Sequence, residues 1–304
     1  MQKVQFKNIG VIGRLGGEEV SDTIERVVDF LSAEQYNVII EERLEDLLPR
    51  QLQVSSAKNM GEACDLVVVV GGDGCMLGAG RDLAISKVPV VGINRGNLGF
   101  LTDIHPNDVE TGLAEVLKGN YTVQPRFLLE GRVSRDAVSM SEGVALNDIV
   151  VHPGQAVQMI EFDLYIEGQF VYTQKSDGII VASPTGSTAY ALSAGGPIMH
   201  PSLDAIVIVP MFPHMLTSRP IVVNGNSEIK IILRENRNHV NPQVSFDGQP
   251  SEMARPGDAI YIRKMPHKLN LIHPTEHDFY ETCRSKLGWN RPFTTSHVDV
   301  KEGD

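Results

Sequence analysis

At 304 residues the chain exceeds the usual size of one hydrophobic core, so two domains are expected, and 42% apolar residues supply material for both. A formal net charge of −11 argues against a nucleic-acid or acidic-membrane partner while leaving room for a local basic pocket. Three cysteines, Cys64, Cys75 and Cys283, lack CxxC spacing, and no apolar run has the length of a membrane span or signal peptide, so a reducing cytoplasm is the expected setting.

Ile9-Gly10-Val11-Ile12 reads as a short strand, followed after Gly13, Gly16 and Gly17 by an amphipathic helix with Val20, Ile24, Val27, Val28 and Leu31 on one face. Val38-Ile39-Ile40 supplies a second strand. Leu66 to Val70 is an apolar run rich in β-branched residues, which suits a strand buried on both faces. Gly71-Gly72-Asp73-Gly74 then forces a sharp turn, with a helix expected to begin near Cys75 or Met76. Glycines without Cβ let a phosphate approach backbone N–H groups at a helix start, so the turn reads as a phosphate cradle holding one acid. A tight turn with Asp73 as helix N-cap is the plainer alternative. After a helix to about Ala84, Val88 to Ile93 forms a further strand, and Asn94-Arg95-Gly96-Asn97-Leu98-Gly99 a second loop. Strands alternating with helices imply a parallel sheet whose ligands sit beyond the carboxyl ends of the strands, where both loops fall.

The pattern changes near Gly119-Asn120. From Tyr121 to about His273 the chain reads mainly as strands, most clearly in Ile160 to Glu167, where apolar and mostly polar residues alternate. The expectation is an α/β domain over residues 1–120, a β-rich domain over 121–274, and residues 275–304 packing back on the first, with Phe279–Leu287 helical and 290–304 a loose tail.

Asn147-Asp148 lies within what reads as one apolar strand over Ala145–Val151. Polar neighbours there need partners, which a ribose diol or a sheet-edge pair would provide. Lys175 to Pro197 is richer still: an apolar strand leads into a loop holding Ser183, Thr185, Ser187 and Thr188 and then a helical beginning, hydroxyls suited to ribose, amide or phosphate groups, or simply to capping that helix. Neither GxxxxGK[ST] nor a full GxGxxG occurs, so a P-loop enzyme or Rossmann dehydrogenase is disfavoured. The histidines, His152, His200 and His214 among them, are read as structural, and no His-ligated zinc site or nucleophilic serine is expected.

Taken together, Gly71-Gly72-Asp73-Gly74, the Gly92–Asp103 loop, Asn147-Asp148 and Asp177–Pro197 resemble the motif set of the NAD kinases, and the resemblance runs from Ile9 to Trp289. The Gly-Gly-Asp-Gly element alone is shared with lipid kinases and phosphofructokinases. The resemblance implies a Rossmann-like α/β domain followed by a mainly β domain, and transfer of the ATP γ-phosphoryl group to the 2′-hydroxyl of the adenosine ribose of NAD, with a divalent cation, Mg²⁺, carried on the ATP and no dedicated metal ligands. It implies Asp73 as general base and nucleotide contacts from Gly71, Gly72, Gly74, Asn147, Asp148, Gln158, Lys175, Asp177, Thr188, Ala189, Tyr190, Ser193 and Gln249. It also implies a homodimer or homotetramer. Cys75, Asp148 and Lys175 depart from the threonine, glutamate and arginine usual at those positions. A lipid or sugar kinase, and a module that binds NAD without turnover, are the rival readings.

Overall fold

The computed structural model describes residues 6–14, 18–48, 51–95, 99–154, 158–235, 241–275 and 277–289. In chain order the elements are β1 (Asn8–Gly13), α1 (Glu18–Ala33), β2 (Asn37–Glu41), β3 (Gln53–Ser55), α2 (Ala57–Ala63), β4 (Leu66–Val70), α3 (Asp73–Leu83), β5 (Pro89–Ile93) and α4 (Val109–Lys118). There follow β6 (Tyr121–Arg135), β7 (Val138–Ala145), β8 (Asp148–His152), β9 (Ile160–Ile166), β10 (Gln169–Ser176), β11 (Gly178–Ala182), α5 (Tyr190–Ser193), β12 (Ala205–Met211), β13 (Ile221–Asn224), β14 (Ile229–Leu233), β15 (Gln243–Phe246), β16 (Gln249–Met253), β17 (Ala259–Pro274) and α6 (Phe279–Leu287).

The first five strands are parallel, in the spatial order β5-β4-β1-β2-β3. All of β4 is buried because helices cover both faces: Leu66, Val68 and Val70 pack with Ile24, Val27, Val28 and Leu31 of α1, while Val67 and Val69 pack with Met60 of α2 and Met76 of α3. The apolar stripe on α1 is the one its spacing predicts, with Val20 partly buried beside it.

The sheet does not end where the sequence pattern changes. β17, a strand of 16 residues, pairs with β14 near its start, with β6 along its length, and in parallel with β5 at its end, so one 11-stranded sheet runs through both halves. A second, six-stranded antiparallel sheet, β13-β12-β11-β8-β15-β16, packs one face on the strand-rich part of the first. Ile149, Val151, Ile179 and Val181 face that interior with Phe162 and Leu164, and Val150, Ile180 and Val209 face the opposite way, over Ala191 and Met199.

One local expectation is corrected. Asn147 is not inside a strand: β7 ends at Ala145, β8 begins at Asp148, and the chain turns there from the first sheet to the second. It makes the same change at Asp177, between β10 and β11. The loose tail expected over 290–304 lies outside the described residues.

Candidate active site

The end of β4 folds directly onto α3. A Cβ placed on Gly71 would lie 2.7 Å from Cys75 Cβ, so only a residue without a side chain lets the turn close this tightly. The helix begins at Asp73, two or three residues earlier than expected, and Gly72 is its N-cap, so Asp73 is not the cap. Its carboxylate instead reaches the second loop. Oδ2 accepts the Phe100 N–H at 3.0 Å and Oδ1 the Leu101 N–H at 3.1 Å. Gly99 makes room for this, since a Cβ there would stand 2.1 Å from Asp73 Oδ1. The two loops therefore meet at Asp73. Of the second loop, Gly96, Asn97 and Leu98 lie outside the described residues, and Arg95 pairs with exposed Glu19 at 2.7 Å. Burial, reinforced by Glu41, pushes the Cys75 thiol above its ordinary pKa, with Arg43 and Arg14 opposing, which is the environment of a spacer and not of an activated thiolate.

The corner at Asn147-Asp148 is held by a residue that the sequence reading passed over. Asp247 and Gly248 form the two-residue turn between β15 and β16, both with positive φ (48° and 73°), the conformation an Asp-Gly pair favours. The Asp247 side chain is wholly buried and accepts the N–H groups of Leu146 (3.0 Å), Asn147 (2.7 Å) and Asp148 (3.3 Å), together with Arg81 Nη1 of α3 at 2.9 Å. Asp-Gly after Val244-Ser245-Phe246 was the available signal for the turn. Nothing local announces the three amides. Asp148 is itself buried; burial, with the neighbouring Asp247 charge, pushes its carboxyl up to about 7.

Two cavities adjoin at this point. The larger, about 790 Å³, is lined by Asn147, Asp148, Asp177, Ala189 and Tyr190. The other, about 490 Å³, is lined by Gly74 and Cys75 at the head of α3, by Arg14, Arg43 and Arg81, and by Gln249. Leu77 and Asp247 line both. Gly71, Gly72 and Asp73, which lead into Gly74, line neither cavity, and nor do Gln158, Lys175, Thr188 and Ser193; Gln158, Lys175 and Ser193 are exposed.

The hydroxyls of the loop bond the protein itself. Ser183 Oγ donates to the Leu146 carbonyl at 2.5 Å, and Ser187 Oγ donates to the Pro184 carbonyl at 2.6 Å while accepting the Met199 N–H at 2.9 Å; both serines are fully buried. Thr185 accepts Arg126 Nη1 at 3.4 Å, and Thr188 donates to the Thr185 carbonyl at 3.1 Å. These bonds press the loop onto the corner, where a Cβ on Gly186 would lie 2.1 Å from the Asn147 carbonyl oxygen. The helical beginning, α5, has only four residues, so it is too short to act as a phosphate-binding helix start, and what the loop offers the cavity is Ala189 and the half-exposed ring of Tyr190. Two histidines form a pair that the sequence analysis does not single out. His273 and His277 stack at 4.0 Å between ring centroids, and both bond Asp103.

Models of the ATP-NAD kinase N-terminal and C-terminal domains match residues 9–121 and 146–274. The NAD kinase of Pseudomonas aeruginosa is 62% identical over 285 residues, covering 93% of this chain and 96% of its own. That of Marinobacter nauticus is 59% identical over 286 residues, covering 94% and 97%. Among solved structures, yeast NADH kinase complexed with NADH superposes with a TM-score of 0.86 at 27% identity, covering 96% of this chain and 90% of the other. An NAD kinase from Archaeoglobus fulgidus in complex with ATP gives a TM-score of 0.69 at 27% identity, covering 92% and 98%.

Proposed function

Because the chain belongs to the NAD kinase family, we propose that its two adjoining cavities divide the substrates, with NAD in the larger and the ATP triphosphate beside the head of α3. The chain is a kinase that phosphorylates NAD at the expense of ATP, and the group transferred is the γ-phosphoryl, to the 2′-hydroxyl of the adenosine ribose, giving NADP and ADP. The observation that carries the division is the sharing of Leu77 and Asp247 between a cavity of carboxylate, amide and aromatic groups and one lined by three arginines.

In the larger cavity Asp148, Asp177 and Asn147 supply acceptors and donors for ribose hydroxyls and amide groups, and Tyr190 offers an aromatic face to a base. In the smaller, Arg14, Arg43 and Arg81 supply positive charge for phosphate oxygens, Arg43 also pairing with Glu41 and Arg81 with Asp247, and Gly74 and Cys75 bring the first turn of α3 to the same cavity. Asp73 takes the proton of the acceptor hydroxyl as the new P–O bond forms and the bond to ADP breaks. Its two hydrogen bonds to Phe100 and Leu101 leave each oxygen a further lone pair for that proton. An ATP-using kinase needs a divalent cation to offset phosphate charge. In this reading the ion is Mg²⁺, which arrives on the triphosphate and keeps its waters.

A homo-oligomer is the proposed assembly, supported by exposed apolar Phe212, Met215 and Leu216 after β12, beside Lys175, whose carbonyl accepts the His214 N–H at 3.0 Å. A cytoplasmic setting fits three free cysteines. Incubation with ATP, Mg²⁺ and NAD, followed by separation of the nucleotides, tests the function: NADP and ADP are expected in equal amounts. Binding of NAD without product would reduce the chain to a sensor.

A further inference from the structure

The loop that holds Asp73 is itself held from the far end of the chain. Phe100 and Leu101, whose N–H groups bond the Asp73 carboxylate, are followed by Thr102 and Asp103. His273, next to last in β17, bonds Oδ2 of Asp103 through Nδ1, and His277, just before α6, bonds Oδ1 through Nδ1 at 3.0 Å. Each carboxylate oxygen thus has its own imidazole. Burial opposes ionisation of Asp103, but the hydrogen bonds and charges of the two histidines outweigh it and hold the carboxyl down at about 2. One residue further on, the Ile104 N–H bonds the Gly92 carbonyl at 3.2 Å and the Asn94 N–H bonds the Ile104 carbonyl at 2.8 Å, tying the chain to the end of β5. Between Gly99 and Ile104 the backbone therefore has three anchors in six residues: the Asp73 carboxylate, the histidine pair and β5.

Among the described residues Nε2 of both rings is buried without a partner, a cost of about 1–3 kcal/mol for each group that a phenyl ring in the same place would avoid. The grip on Asp103 is what the imidazoles supply in return. The same three residues bring donor atoms within 4.8 Å of one another, as a metal site would. Arg126, however, is buried with its charge acting on Asp103, and a dication there would stand against that guanidinium.

We propose that His273 and His277 are positioning residues for phosphoryl transfer: by gripping Asp103 they set the loop whose N–H groups aim the Asp73 carboxylate at the acceptor hydroxyl. The proposal rests on the reading of Asp73 as the base, and misplacement of such a group by a fraction of its bond length slows the chemical step without weakening substrate binding.

His277 is the better handle, because it lies in a connection and not in a strand. In the full-length enzyme His277→Ala should lower kcat roughly tenfold, with KM for NAD and for ATP within about twofold of the parent. His277→Asn, whose side-chain N–H₂ can stand where Nδ1–H stood, should recover most of the rate. On an Asp73→Asn background His277→Ala should add less than about twofold, because the group it positions is gone. Rates are referred to folded protein measured by thermal unfolding, since a merely structural role moves the melting temperature and leaves kcat of the folded fraction alone. Parental kcat in folded His277→Ala, or an undiminished loss on the Asp73→Asn background, overturns the proposal. Loss of rate after removal of transition metals by a chelator, with Mg²⁺ restored, would hand the three residues to a metal and overturn it too. Parental kcat in Asp73→Asn alone would remove the base reading itself, a separate failure.

Discussion

In the parallel-sheet half, the residues assigned to chemistry stand directly after β4 and close beyond β5, where a strand-to-helix turn puts them. In the strand-rich half they stand at corners, Asn147-Asp148 between β7 and β8 and Asp177 between β10 and β11, where the chain leaves one sheet for the other. The first arrangement is local: glycines close the turn and the helix start follows. The second is not, for the corner at Asn147 exists because Asp247, 100 residues later, takes its amides. A site built this way has one turn that a short sequence window specifies, although the loop that aims its Asp73 lies 27 residues on, and corners that only the assembled sheets specify. Variants should therefore separate chemistry from assembly along the same line.

The largest effect is expected in the local half. Asp73→Asn should lower kcat by roughly 10²–10⁴-fold with NAD affinity near the parent, as removal of a general base does. A carboxamide offers one acceptor oxygen where Phe100 and Leu101 need two, so a stability loss of about 1–3 kcal/mol should accompany it. Steady-state kinetics, calorimetric binding and thermal unfolding on one preparation separate the two. A variant that loses stability but keeps its rate would leave Asp73 as a strut between loops.

In the remote half the first loss should be of stability. Asp247→Ala strips a wholly buried carboxylate from three backbone amides and from Arg81, and breaking such a pair costs about 3–5 kcal/mol. Chemical unfolding should report that cost, and KM for NAD should rise because Asn147 and Asp148 lose their corner. Unchanged stability would mean that the corner is held by something other than Asp247, and the contrast between the halves would go with it.

What could be read in advance divides along the same boundary. Ile24, Val27, Val28 and Leu31 on α1, the buried run Leu66–Val70, and Phe279–Leu287 as a helix each follow from periodicity within a dozen residues. Asn147 was misplaced inside a strand because its flanks, Ala145-Leu146 and Ile149-Val150-Val151, are apolar on both sides, and no window of that size contains Asp247. The hydroxyls of Ser183, Thr185 and Ser187 are legible as a cluster, for a ligand or a helix cap, but not their partners, since backbone groups for the serines and the Arg126 guanidinium for Thr185 are brought to them by folding. His273 and His277 carry an H-x-x-x-H spacing, yet the acid that unites them, Asp103, is 170 residues from His273. Residue type announced chemistry, and long-range pairing decided which residues perform it.

Ser187→Ala sharpens the distinction between scaffold and contact. Losing the hydroxyl leaves the Met199 N–H unpaired in the interior, at about 1–3 kcal/mol, while KM for NAD should stay within about twofold. A KM rise without a stability loss would return this serine to the ligand and undo the correction.

The smallest effect expected is also the one that tests the remote half without dismantling it. Asp148 has an elevated pKa of about 7 where an Asp in an unfolded chain titrates near 3.9. Between those values the folded protein holds a proton that the unfolded chain has released, so this residue's contribution to stability is complete at low pH, declines as pH rises toward about 7, and is constant above. Asp148→Asn cannot titrate, so the stability of the variant relative to the parent should improve across that window and then level. Binding should run the other way. If ribose hydroxyls donate to the Asp148 carboxylate, only the ionised enzyme is competent, and one pH unit below the pKa about a tenth of it is, which weakens NAD affinity about tenfold. Calorimetric titration of NAD against the parent and Asp148→Asn from about pH 6 to 8 reads this directly: a slope in the parent and none in the variant is expected. An affinity that instead falls as pH rises through about 7 would mean that NAD meets Asp148 protonated, as a donor to a carbonyl or ring nitrogen, a flat parent profile would take Asp148 out of the contact, and either would move the ribose to Asp177.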